Sequence, residues 1–231
     1  MGPVSGTVGR VGTGAYTADG CSVEVYRLLP PSGEPEIVHD AVPPGASILE
    51  LGCGAGRITH PLVTLGHEVV AVDDSPEMLA LVRGAETVCA RIGELRLGRT
   101  FDAVLLGSHL INTPDDTERH ALLAAARRHL APGGRLLVEW HPPSWFARVA
   151  DGQGGRLGEV SVELAEVVRD GELLSAVVRY SARGNSWRQP FTARMLTADA
   201  LENALNSADL TVECRLTADR RWFAATSRSG G

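Results

Sequence analysis

Through residues 47–140 short apolar runs alternate with segments of helical spacing, and the order they predict is strand, helix, strand, helix. The runs are Ser47–Leu51, residues 68–72, residues 87–90, Phe101–Leu106 and residues 135–140. Most carry Val, Leu or Ile at successive positions, the mark of strands covered on both faces, as in a parallel sheet between helical layers. Helical segments fall near residues 58–65 and after Ser75-Pro76-Glu77. The best-marked helix has Pro114 at its start, Asp115, Asp116 and Glu118 in its first turn, and Arg127 and Arg128 in its last. Those charges complement the helix dipole. Residues 23–29 and 34–42 read as short helices stopped by Pro30-Pro31 and Pro43-Pro44-Gly45.

After Asp151-Gly-Gln-Gly-Gly155 the period becomes two, strand upon strand. Residues 160–168 and 173–181 flank the turn Arg169-Asp170-Gly171-Glu172, and residues 187–195 form a third extended piece. Residues 197–207 then read as a helix capped by Thr197, followed by an antiparallel pair at 210–216 and 221–226. Residues 157–195 are expected to form an inserted β flap beside a binding mouth, with a dimer surface or an extension of the main sheet as equal alternatives.

The densest chemical signal is Ile48-Leu-Glu-Leu-Gly-Cys-Gly-Ala-Gly-Arg57, a strand running into a G-x-G-x-G turn ahead of a helix. Glycines there let bare backbone and the helix start approach a ligand. The next apolar run ends in Asp73, about 20 residues after the first glycine, the offset at which an acid reaches ribose hydroxyls. A dinucleotide fingerprint would need a small third residue where Arg57 stands, which argues against NAD or FAD.

With these residues in place the chain resembles the class I S-adenosylmethionine-dependent methyltransferases. Glu50 to Gly56 resemble that family's first motif and Asp73 to Met78 its second. Phe101-Asp-Ala-Val-Leu-Leu-Gly-Ser108 resembles its fourth strand, and Pro132-Gly-Gly-Arg-Leu-Leu-Val-Glu139 the turn and strand that follow. The resemblance covers residues 46–145. It implies an α/β Rossmann-like fold with a mostly parallel seven-stranded sheet, closed by the antiparallel C-terminal hairpin. It also implies a cofactor, S-adenosylmethionine, with Gly52, Cys53 and Gly54 along its methionine part and Glu50 ordering the loop or the ammonium end. Asp73 would hold the ribose diol, with Asp74 and Met78 near ribose and adenine and Gly107 and Ser108 at the adjoining bend. Residues 1–33 would form a lid, with Tyr16 closing over the cofactor.

One departure stands out: where the family has an acid reading the adenine amino group, this chain has Arg91, which offers no acceptor. Either backbone around Ile92 takes that role, or Glu94 folds in, or adenine recognition is weak.

On the acceptor side, residues after the fourth and fifth strands should face the ligand. His109 and His141 stand there, and a histidine titrating near neutral pH suits proton removal as a methyl group arrives. Tyr26, Trp145, Trp187 and Phe191 are the candidate substrate-binding aromatics, while Trp140 reads as core. Cys53 reads as a small turn residue, not a nucleophile. The Asn/Asp-Pro-Pro-aromatic turn of enzymes that methylate exocyclic amines of bases or glutamine is missing after strand four, and strand five ends without the Asp-Asn of metal-dependent catechol enzymes. Hydroxyl or carbon acceptors are therefore favoured over amines, and no metal is expected.

Composition narrows the partners. With 231 residues, 44% of them hydrophobic, the chain can bury one core as a single domain. A net charge of −6 and no basic stripe favour a small-molecule acceptor over nucleic acid. No membrane span or signal layout is seen, which predicts a cytoplasmic protein. The four scattered cysteines give no disulfide framework. A homo-oligomer stays open. Specialised-metabolite biosynthesis is the expected setting, against a scaffold or sensor that binds the cofactor without methyl transfer.

Overall fold

Alternation along the strands sorts side chains into two buried layers. In the computed structural model, which describes residues 10–11, 14–18 and 20–228, strand β2 (Ser47–Leu51) turns Leu49 and Leu51 to one face and Ile48 to the other. β3 (Glu68–Asp73), β5 (Phe101–Leu106) and β6 (Leu130–Glu139) repeat the division. On one face Val72, Leu106 and Val138 meet Leu123 of α5 (Asp116–His129) and Leu201 and Leu205 of α7 (Ala198–Ser207). On the other, Val69, Leu105 and Leu137 meet Val38 of α2 (Glu34–Asp40) and Leu62 of α3 (Thr59–Thr64).

These strands lie in a seven-stranded sheet of order β11, β12, β6, β5, β2, β3, β4, where β4 is Glu86–Cys89, β11 Leu210–Arg215 and β12 Trp222–Ser227. β4, β3, β2, β5 and β6 are mutually parallel. β12 enters antiparallel between β6 and β11, which closes the sheet with the expected C-terminal pair. Helix starts follow the sequence signals: Ser75 accepts from the Met78 N–H ahead of α4 (Pro76–Leu79), Asp115 from Thr117 N–H, and Thr197 from Ala200 N–H.

Residues 154–194 build a separate sheet, not an extension of the first. Its order is β1 (Arg10–Val11), β10 (Asn185–Arg194), β9 (Leu173–Ala182), β8 (Val160–Asp170) and β7 (Gly154–Leu157). β7 to β10 are antiparallel, and β1 joins β10 in parallel. The two-residue alternation thus gives this segment its strands, while the sheet-extension alternative is overturned. At one end of its covered face Val160, Ala182 and Trp187 pack on Val25 of α1 (Val23–Leu28). At the other end of the same face Leu174, Ala176 and Ala193 pack on Phe146 of α6 (Pro143–Arg148) and on Val149 just beyond it. Of the expected lid, residues 1–9, 12–13 and 19 lie outside the described residues. Among the described residues no helix is long and apolar enough to cross a membrane.

Candidate active site at the carboxyl ends of β2, β3, β5 and β6

The first two strand-to-helix bends are tied together by backbone. Gly52 and Cys53 N–H donate to Val72 O, at 2.8 and 2.9 Å. Gly54 N–H donates to Asp73 Oδ2 at 2.8 Å, and Ser75 N–H to Asp73 Oδ1 at 3.0 Å. These bonds fix the Asp73 carboxylate at the carboxyl end of β3, beside the glycine loop. Gly54 has φ of 54°, and a Cβ there would lie 3.5 Å from the Tyr26 ring. That strip of bare backbone is what an elongated ligand needs to pass under the tyrosine. Cys53 is buried; burial first, then Glu50 and Asp73, pushes its thiol up, so it packs and does not attack.

Strand alternation puts Glu50 on the α3 side of β2, where it accepts from Thr59 Oγ at 2.5 Å. Its carboxyl is 4% exposed, and burial pushes it up to about 7 against the pull of Thr59 and Arg57. Arg57 pairs with Glu34. Burial would raise the Glu34 carboxyl, but Arg57 and the Ser32 N–H hold it below its usual value. Because the folded-state value of Glu50 is raised, the stability it contributes is present below about 4.5 and lost as pH rises through about 7. The difference in urea midpoint between wild type and Glu50→Gln should therefore shrink or reverse across that window; a difference independent of pH would contradict the raised value.

At the other two bends, His109 and His141 stack with centroids 4.2 Å apart. Phe191 from β10 stacks on His109 at 5.3 Å, and Trp145 of α6 meets His141 edge-on at 4.6 Å. The sequence thus named four residues that the fold brings together. The expected titration near neutral pH is overturned, however. Burial, then Arg221, pushes His109 down to about 4, and burial, then His109 and Arg221, drives His141 lower still. Both rings are neutral at physiological pH. The Nδ1 atoms of both are buried, with no partner among the described residues.

Sequence reasoning missed three polar residues that frame this cluster. Fully buried Asn112 accepts from His141 N–H at 2.9 Å and donates to His141 O and Arg194 O, fastening β6 to the flap. Glu139 accepts from Ser108 N–H at 2.8 Å and from Arg221, which also lies 3.1 Å from His141 Nε2. Burial raises the Glu139 carboxyl despite Arg221. Only Asn112 had a visible signal, as a lone amide after Leu110-Ile111. Ser108 itself has φ of 56°, an uncommon value for serine.

The remaining candidates are spread. Tyr26 lies over Gly54 and bonds through its hydroxyl to Gln189 of β10 and Cys21, so it belongs to the glycine loop more than to the histidine cluster. Tyr16, given the lid role, is 44% exposed and bridged to Ser22. Trp187 is buried against α1, apart from Trp145 and Phe191, which corrects its assignment to the same mouth. Met78 is buried beside Cys21, Ala55 and Tyr26, whereas Asp74 is exposed. Arg91 is exposed at the start of the 3₁₀ turn Ile92–Glu94, and Ile92 packs on the main core. Gly107 is buried against Ile58.

The methyltransferase-domain family matches residues 48–134. An uncharacterized methyltransferase of Mycobacterium tuberculosis is 37% identical over 163 residues, covering 66% of this chain and 60% of the relative. The match therefore spans less than two thirds of that relative's length. Among solved structures, the CcbJ methyltransferase from Streptomyces caelestis superposes with a TM-score of 0.71 at 24% identity, covering 87% of this chain and 91% of that one. CalS10 of Micromonospora echinaspora, described as an S-adenosylmethionine-bound amino pentose methyltransferase involved in calicheamicin biosynthesis, superposes at 0.66 with 25% identity, covering 91% and 93%.

Proposed function

We propose that this chain, which belongs to the class I S-adenosylmethionine-dependent methyltransferase family, moves a methyl group from S-adenosylmethionine to a small organic acceptor in specialised-metabolite biosynthesis. The observation that carries the reading is Asp73, which accepts from Gly54 N–H of the glycine loop and from Ser75 N–H of the next bend, and so stands at the end of β3 where an acid reaches a ribose. The residues present fit the cofactor: bare backbone at Gly54, a carboxylate at the ribose position and a buried Glu50 able to meet an ammonium. When bound, the cofactor supplies a methyl group activated by its sulfonium. Tyr26 excludes water above the loop, and His109, neutral and with an unpartnered Nδ1, removes the acceptor proton.

Hydroxyl or carbon acceptors remain the favoured classes, because no amine-type turn follows β5. A second reading, an amine acceptor, is favoured by the similarity to CalS10. Incubation with S-adenosylmethionine and pooled hydroxylated, carbon-acid and amine metabolites, followed by mass spectrometry, tests both. Formation of S-adenosylhomocysteine with a methylated hydroxyl or carbon supports the first reading, and an N-methylated product the second. Tight cofactor uptake without turnover on any class would turn the reading to a scaffold or sensor.

A further inference from the structure

Arg221 reaches His141 across 80 residues of sequence, 3.1 Å from Nε2. Guanidinium has donors and no acceptor, so that nitrogen holds a lone pair, and a neutral ring must carry its proton on Nδ1. Glu139, fixed by Ser108 N–H, holds the same guanidinium, and Asp219 accepts from Arg221 N–H. Asn112 clamps the His141 backbone. The groups that face the ring are His109 from the bend after β5, Trp145 of α6 and Arg221 ahead of β12. Yet among the described residues the His141 Nδ1 has no partner although it is buried. A buried donor without a partner is costly, and its retention points to a ligand that pairs it.

We infer that Arg221 is a positioning residue that fixes His141 as an Nδ1–H donor, so that the subsite framed by His109, Trp145 and Phe191 holds a planar acceptor through a hydrogen-bonding oxygen. The two histidines then divide the work: His109 is free to take a proton, and His141 orients. The ligand part of this inference rests on the methyl-transfer reading, whereas the tautomer does not.

Two-bond hydrogen–nitrogen correlation spectra of the full chain labelled with ¹⁵N-histidine read the tautomer directly, with His141 assigned by its loss in His141→Gln. The expected wild-type pattern is a single Nδ1–H form unchanged between about pH 5 and pH 8. Arg221→Met should lose that pattern, giving exchange between tautomers, and Arg221→Lys should restore it. A wild-type ring protonated on Nε2, a mixture, or a pattern indifferent to Arg221→Met overturns the inference; should Arg221→Met not fold, the wild-type spectrum decides. With S-adenosylhomocysteine saturating the protein, phenol should shift the Nδ1–H resonance and benzylammonium should not. The reverse, or no shift with either, removes the oxygen-acceptor subsite. Failure of S-adenosylhomocysteine to bind would instead strike the function and leave the tautomer result standing.

Discussion

Asp73→Ala should weaken S-adenosylhomocysteine binding by about 10²–10⁴-fold in calorimetry, since hydrogen bonds to a charged group are worth about 1.5–3 kcal/mol each and two ribose hydroxyls would be lost. The same carboxylate organises the loop, because its oxygens hold Gly54 and Ser75 N–H groups before any ligand arrives. Removing it therefore costs binding twice, through the lost contacts and through a glycine turn no longer held in the binding conformation. Asp73→Asn separates the parts. The amide keeps one acceptor oxygen for one of the two N–H groups and loses the charge, so its affinity should fall between wild type and Asp73→Ala. Circular dichroism should show all three proteins folded, because Asp73 lies at the end of β3, outside the buried apolar layers. Affinities within about threefold of one another, under 1 kcal/mol, would remove Asp73 from the cofactor site and the function with it.

The main sheet was legible because its strands are local statements. Ser47–Leu51 and Phe101–Leu106 are bounded in the sequence as in the structure, since apolar runs between glycine, proline and charged residues leave little freedom in where burial starts and stops. Thr197 announced α7 by the same kind of local chemistry. What escaped was set by partners distant in sequence. Helix α6 begins at Pro143, where the missing N–H costs nothing, yet the sequence pattern predicts no helix directly after the fifth strand. Gly154-Gly155, placed in the sequence before the first of the later strands, pairs with β8; a Cβ on Gly154 would lie 1.9 Å from Val162 O, so only glycine admits that approach. Glu139, Arg221 and Asn112 were invisible as site residues for the same reason. Their roles come from contacts spanning 29 to 82 residues, and no spacing rule reaches that far. The histidines show the limit from another side: the sequence placed them correctly and misjudged their protonation, because only the assembled packing sets how far burial depresses a ring.

That depressed value governs the second large effect, expected in His109→Phe. Phenylalanine keeps the stacking on His141 and Phe191 and removes the nitrogen, so loss of packing and loss of a base are told apart. Turnover should fall by about 10²-fold, the lower end of general-base contributions, because a base held near 4 accepts a proton with less driving force than one matched to neutral pH. Affinity for S-adenosylhomocysteine should not change. The pH dependence carries the sign: a ring whose value is lowered on folding stays in its neutral, proton-accepting form as pH falls through 6.5, so the wild-type rate should show no His109 inflection there and should decline only toward about 4. Stability follows the same group, present above 6.5 and lost as pH drops toward that lower value, so acid unfolding of wild type should exceed that of His109→Phe over this interval. A variant with wild-type turnover would leave His109 as packing alone. The same turnover loss in His109→Phe accompanied by an equal loss of cofactor affinity would place the residue in binding instead of proton transfer.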